Sequence, residues 1–253
     1  MNTVEIIFSP TGGTERVAGI ITAQWGSSVR KIDLTDPAVA FSAEALDGEA
    51  LTLIAVPSYD GRVPALAAER IAKLRGNLAR CVVLTVYGNR AYEDTLLELA
   101  DLAAGSGFRV IAAVAAVAEH SILRQYATGR PDLQDEELLQ SFAGKILEKF
   151  QSGGEDVPAI TGNRPYKKAG GAGLVPKATK ACTGCGLCAE KCPAQAISKL
   201  DPKKTDGKAC ISCMRCVSLC PQGARKASGL MTSIAGMAIK KACTQRKSNE
   251  LFL

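Results

Sequence analysis

The sequence predicts an α/β protein in which a doubly wound, five-stranded parallel sheet over residues 1–150 is followed by a smaller α+β unit rich in cysteine. Three observations predict it. Apolar runs alternate with amphipathic stretches along the first half, as in successive βα units. Several runs are apolar nearly throughout, as strands covered by helices on both faces are. Finally, "ACTGCGLCAEKCPAQAI" from Ala181 is matched 28 residues later by "ACISCMRCVSLCPQGAR" from Ala209.

The expected strands are "TVEIIF" (3–8), "VRKIDL" (29–34), "LTLIAV" (51–56), "CVVLTV" (81–86) and "FRVIAAVAAV" (108–117), with helices over 14–25, 64–75, 92–105 and 134–151. Turn residues bound each run. With 253 residues and 47% hydrophobic content, the chain can build one large domain and a small one. From Gln151 to about residue 176, Gly, Pro and Lys break the periodicity, which reads as a linker or ordered wrap. The cysteine unit spans 177–226, and 227–253 reads as a weakly helical tail with a basic end.

"MNTVEIIFSP" has no basic n-region and no long apolar run, so no secretory signal is expected and the cytoplasm is the expected location. The longest apolar stretches, from Val110 and Gly229, are far shorter than the roughly 20 residues of a membrane span. Charge is divided unevenly: residues 1–150 carry 14 Lys+Arg against 19 Asp+Glu, and residues 151–253 carry 17 against 6. The basic half lacks a long basic run and any nucleic-acid reader motif, so nucleic acid is not an expected partner.

Cys182, Cys185, Cys188 and Cys192 follow CxxCxxCxxxCP, and Cys210, Cys213, Cys216 and Cys220 repeat it without insertion. That spacing implies two 4Fe-4S clusters. Three thiolates two residues apart let one short loop wrap a cubane, while the fourth reaches across to the other cluster. Cys182, Cys185, Cys188 and Cys220 are therefore expected on one cluster, and Cys210, Cys213, Cys216 and Cys192 on the other. Pro193 and Pro221 fix the exit angle after each fourth cysteine. Disulfides suit exported chains, and zinc suits two CxxC pairs without the third cysteine. Cys81 and Cys243 lack such partners and read as structural. Residues 177–226 resemble bacterial-type two-cluster ferredoxins, with all eight ligands and both prolines present.

"FSPTGGTERVA" from Phe8 joins the first strand to the first helix and reads as a phosphate cradle. Ser9, Thr11 and Thr14 offer hydroxyls, Gly12 and Gly13 allow close backbone approach, and the helix start supplies free N–H groups. Neither GxGxxG nor GK[ST] is present. The loop resembles that of flavodoxins, which implies a flavin mononucleotide (FMN) phosphate. By the same resemblance, "PSYDGRVP" (57–64) and "YGNRAYED" (87–94) wrap the flavin ring. Tyr59 and Tyr87 or Tyr92 are then stacking candidates, and Pro57, Ser58, Gly61, Gly88 and Asn89 line the loops. Arg62 and Arg90 read as solvated surface charges, as partner contacts, or as an offset to the flavin anion charge. His120, the only histidine, and Trp25 read as structural.

Nearly the whole chain resembles the flavodoxin/ferredoxin fusion proteins of anaerobic bacteria, including the ending "RKSNELFL". The resemblance implies an electron carrier with two 4Fe-4S clusters and one FMN, exchanging electrons with redox proteins as donor and acceptor. The alternative is a flavin-dependent reductase of a small molecule with the clusters as its internal relay. The charge division further suggests that the two halves dock electrostatically.

Overall fold

Each apolar run of the first half forms a strand: β1 Thr3–Ile7, β2 Val29–Asp33, β3 Leu51–Pro57, β4 Arg80–Tyr87 and β5 Arg109–Val117. The helices between and after them are α1 Gly13–Thr22, α2 Ala65–Ile71, α3 Thr95–Gly105 and α4 Leu133–Gln151. In this computed structural model, which describes residues 2–26, 28–44, 46–170 and 173–253, the five strands run parallel in the order β2-β1-β3-β4-β5. Order reverses at β1, so the crevice for a ligand lies at the carboxyl ends of β1 and β3.

The near-continuous hydrophobicity of β3 follows from burial on both faces. Ile54 and Val56 pack with Ile71 of α2 and Leu96 and Leu99 of α3. Leu53 and Ala55 face Val17 and Ile21 of α1 and Phe142 and Ile146 of α4. Each fully buried Leu, Ile or Phe contributes about 1.5–3 kcal/mol of burial free energy. Trp25 joins the α1/α4 layer and donates its indole N–H to Ala143 O at 3.1 Å, the core role its sequence position suggested. Cys81 is buried on β4.

The chain end departs from the expected helical tail. Helix α7 spans Gly229–Cys243, but Glu250–Phe252 then forms a strand, β8, antiparallel to β5, so the sheet has six strands. Polar side chains before β8 explain the pairing. Asn249 accepts from Val117 N at 2.9 Å and donates to Asp135 at 3.1 Å. Helix periodicity ends once these residues bind the sheet instead of one another. Asp132 and Asp135 form a reciprocal capping box at the start of α4. Arg130 clasps Asp135 with two hydrogen bonds, both side chains being at most 5% exposed.

The stretch 151–176 is an ordered wrap in its described part rather than a free linker. Asp94 accepts from Asn163 N at 2.8 Å and Lys167 N at 2.7 Å, and Asp101 holds Arg164 through two bonds. Those amides hold the Asp94 carboxyl below its usual range against the opposing effect of burial.

The cysteine unit is a two-stranded antiparallel sheet, β6 Lys177–Ala178 with β7 Arg225–Lys226, and two short helices, α5 Leu187–Glu190 and α6 Arg215–Ser218. It sits on the crevice end of the parallel sheet. Arg215 donates to Ser9 O and Pro10 O, each at 3.4 Å, and Arg70 donates to Pro193 O at 2.8 Å. Guanidinium groups from both halves thus donate to backbone carbonyls across this junction.

Candidate metal centre and phosphate loop

The duplicated sequence folds into duplicated loops. Ala196 N donates to Cys192 Sγ at 3.3 Å, and Ala224 N to Cys220 Sγ at 3.2 Å. Left-handed backbone recurs at the same repeat positions: Gly184 and Ser212, Gly186 and Met214, Gln195 and Gly223. Such turns hold the N–H groups inward, around what the loop encloses.

The eight predicted thiols surround two separate hollows, and each hollow mixes the repeats. Cys182, Cys185 and Cys188 share one with Cys220. Cys210, Cys213 and Cys216 share the other with Cys192. The hollows are matched in size, each with about 20 Å³ of free space between the thiols. Among the described residues, no three His, Cys, Asp or Glu side chains are arranged for a single metal ion. The second hollow is the more deeply buried: it includes buried Cys213, whereas the first includes exposed Cys185. Burial pushes the Cys213 thiol up to about 11 and Cys216 to about 12, with the neighbouring cysteines adding to the effect. At Cys220 burial also opposes ionisation, but the amides of Ala224, Gln222 and Arg225 outweigh it and hold the thiol below its usual value.

The loop between β1 and α1 turns tightly into the helix. Gly12 takes a left-handed turn at φ 89° and α1 begins at Gly13. Ser9 caps the helix by accepting from Glu15 N at 3.0 Å, so its hydroxyl is engaged by the protein. Thr14 is buried, while Thr11, Gly12 and Gly13 border an open cavity of about 590 Å³. Arg16, Arg124 and Arg130 line the same cavity, whose far wall is Met214, Val217 and Ser218 of the second cysteine loop.

The loops after β3 and β4 pack on each other and on the chain end. Tyr59 and Arg62 close a tight hairpin through mutual backbone hydrogen bonds. The Tyr59 hydroxyl is enclosed beside Cys213, and burial followed by that neighbour raises its pKa. Pro57 ends β3, and Ser58 pairs with Thr95 at 2.7 Å. Gly61 O accepts from Asp94 N at 3.1 Å, joining the two loops directly. Tyr87 and Tyr92 meet edge to face at 5.3 Å, and Tyr92 also donates to Glu250 of β8. Asn89 binds Cys243 O, Gln245 O and Lys247 N of the chain end. Gly88 lies against the His120 ring, where any Cβ would clash at 2.6 Å. Contacts of these eight residues join the β3 and β4 loops to each other and to the tail. The chain end engages the polar groups of Tyr92 and Asn89. Arg62 likewise is no free surface charge: it forks onto Glu98 with two 2.7 Å bonds. Arg90 pairs with Glu93 at 2.9 Å.

His120 Nδ1 accepts from the amides of Ile122 and Leu123 at 3.2 Å, a structural role. Burial, then the Arg90 charge, holds its pKa below the usual value. Its contribution is therefore present above the unfolded value of about 6.5 and is lost as pH falls below it. Replacing His120 by Gln should flatten the loss of stability between pH 7 and pH 5 in urea titrations; an unchanged slope would assign that pH dependence elsewhere.

Two residues were not singled out by motif reading: Met214 and Arg225. Both sit where the repeats disagree, against Gly186 and Ile197, and alignment of the two halves of the repeat exposes them. Met214 keeps φ 60° with its side chain buried between the second hollow and the 590 Å³ cavity. A left-handed non-glycine residue costs roughly 1–2 kcal/mol, which packing in that wall offsets.

A family model described as a 4Fe-4S dicluster domain matches residues 181–225. No curated protein sequence matches the chain. Among solved structures, rubredoxin oxygen:oxidoreductase from Desulfovibrio gigas overlaps 60% of this chain and 37% of its own at 18% identity and TM-score 0.44. Megasphaera elsdenii flavodoxin overlaps 56% of this chain and 98% of its own at 17% identity and TM-score 0.41. A flavodoxin from Streptococcus pneumonia TIGR4 overlaps 58% and 99% at 21% identity and TM-score 0.38. No helix among the described residues is long and apolar enough to cross a membrane. Strand order and two-faced helix cover give the first part a flavodoxin-like α/β fold, and residues 181–225 form a 4Fe-4S dicluster domain beside it.

Proposed function

We propose that this chain is an electron-transfer protein with two 4Fe-4S clusters and one FMN. Cys182, Cys185, Cys188 and Cys220 hold the first cluster, and Cys210, Cys213, Cys216 and Cys192 the second. The observation that carries this is the partition of eight thiols into two hollows with the fourth cysteine exchanged. The FMN phosphate sits on Thr11–Thr14, where the N–H groups at the start of α1 face an open cavity. Bound flavin supplies a centre for one or two electrons.

The flavin ring is assigned to the 590 Å³ cavity beyond the phosphate loop, because the β3 and β4 loops are tied shut. That volume lies within the roughly 300–1,000 Å³ range of small-molecule sites. Met214 lines both that cavity and the second hollow and would stand between groups held in the two, while Arg215 and Arg70 seat the cysteine loops on the sheet. Redox proteins serve as donor and acceptor, and the cytoplasm is the proposed location. A second reading, a flavodoxin-like scaffold without flavin, draws support from the same closed loops. Anaerobic purification with iron, sulfide and FMN assayed together separates them: eight iron, eight sulfide and one FMN per chain for the first, no FMN for the second. Within the first, Thr11→Ala with Thr14→Ala should weaken FMN more than phosphate-free riboflavin in fluorescence titrations, whereas equal loss would trace the effect to folding.

A further inference from the structure

The two cysteine repeats disagree at one buried position. Ala196-Ile197 follows the first Cys-Pro segment, and Ala224-Arg225 stands 28 residues on. Both side chains are buried, Ile197 at 4% exposure and Arg225 at 2%. An aliphatic chain suits such a place. A guanidinium there is costly unless charge and hydrogen bonds compensate it.

The compensation the protein supplies is incomplete. Arg225 Nη1 donates to Thr205 Oγ1 at 2.7 Å and Pro176 O at 3.3 Å, and Nη2 donates to Pro202 O. These partners are all neutral. No ion pair includes Arg225 among the described residues, and its buried Nε has no protein acceptor. The side chain lines the hollow of Cys182, Cys185, Cys188 and Cys220. Its charge also reaches Cys216 of the other set.

We infer that Arg225 is a potential-setting residue: the thiolate-bound clusters are its counter-charge, and its buried cation favours their reduced forms. This rests on the cluster assignment above. Each cluster takes one electron from an external reduced protein and gains one negative charge, while Arg225 exchanges neither proton nor bond. A fixed cation beside that charge stabilises the product more than the reactant, with reduced screening because Arg225 is buried. Nε–H adds a donor for a sulfur atom, a second known lever on cluster potential. The first cluster feels both effects, the second mainly the charge.

The test is a redox titration of the holoprotein followed by electron paramagnetic resonance, on wild type, Arg225→Lys, Arg225→Met and Arg225→Gln. With iron and sulfide content unchanged, Met should lower the first cluster's midpoint by at least tenfold in the reduced-to-oxidised ratio, about 59 mV for one electron. Lys should recover a large part of the shift, and the difference should persist in high salt. If Met does not assemble, the Lys and Gln midpoints still decide, since both can hydrogen-bond and only Lys is charged. Equal midpoints in charged and uncharged variants, with only thermal stability altered, would make Arg225 a structural clamp and overturn the inference. Zinc in place of iron would instead overturn the cluster assignment itself.

Discussion

Cys192→Ser should damage the cluster held by Cys210, Cys213 and Cys216, and Cys220→Ser the one held by Cys182, Cys185 and Cys188, each reversing what chain proximity alone predicts. The reason is geometric. Each fourth cysteine stands at the exit of its own loop, where the amide four residues on fixes its sulfur, and it lines the hollow of the other repeat. A serine retains the size of the side chain but not the soft thiolate, so iron is lost or held more weakly at one corner. The expected result is a large loss in one of two resolved cluster signals and near-native behaviour of the other. Damage to the cluster of the same repeat would show that each cluster draws its four ligands from one contiguous motif.

Asp135→Ala should cost about 3–5 kcal/mol of stability, because it strands a buried guanidinium. Asp135 also returns a cap to Asp132 N at 3.0 Å and receives Asn249 at 3.1 Å and Arg246 at 3.3 Å. One carboxylate thus ties α4, the β5 loop and the chain end together. Urea unfolding measures the loss, and protease sensitivity after Cys243 reports release of β8. Replacing Arg130 and Asp135 together by apolar residues of similar volume should recover part of the loss, as the desolvation cost of both charges disappears. A loss below about 1 kcal/mol would mean the pair contributes no more than an exposed one.

The parallel sheet was legible because β3, β4 and β5 are apolar nearly throughout, and that pattern arises only when both faces are covered. The cysteine hollows were legible because the spacing is a direct record of loop geometry. The contacts of the loops after β3 and β4 with the chain end were not. Tyr59, Tyr87, Tyr92 and Asn89 have the residue types of a cofactor site, and the same types serve equally to bind a neighbouring chain segment. Their actual partners are Cys213, Glu250 and the backbone of residues 243–247. Contacts at separations above 150 residues leave no local pattern. β8 escaped for a related reason: three residues are too few for a period, and the pairing depends on Asn249 meeting Val117 N. Arg225 was hidden by its type, since a lone arginine reads as surface until its repeat partner is seen to be Ile197.

The measurement that tests the central claim most directly is an anaerobic reductive titration counting electrons per chain, with cluster and flavin absorbance followed together. Two clusters at one electron each and one flavin at two predict uptake of about four electrons. Uptake of two electrons, with cluster bleaching and no flavin spectrum, would contradict the flavin assignment while leaving the clusters in place; uptake of none by protein carrying zinc would contradict the account as a whole.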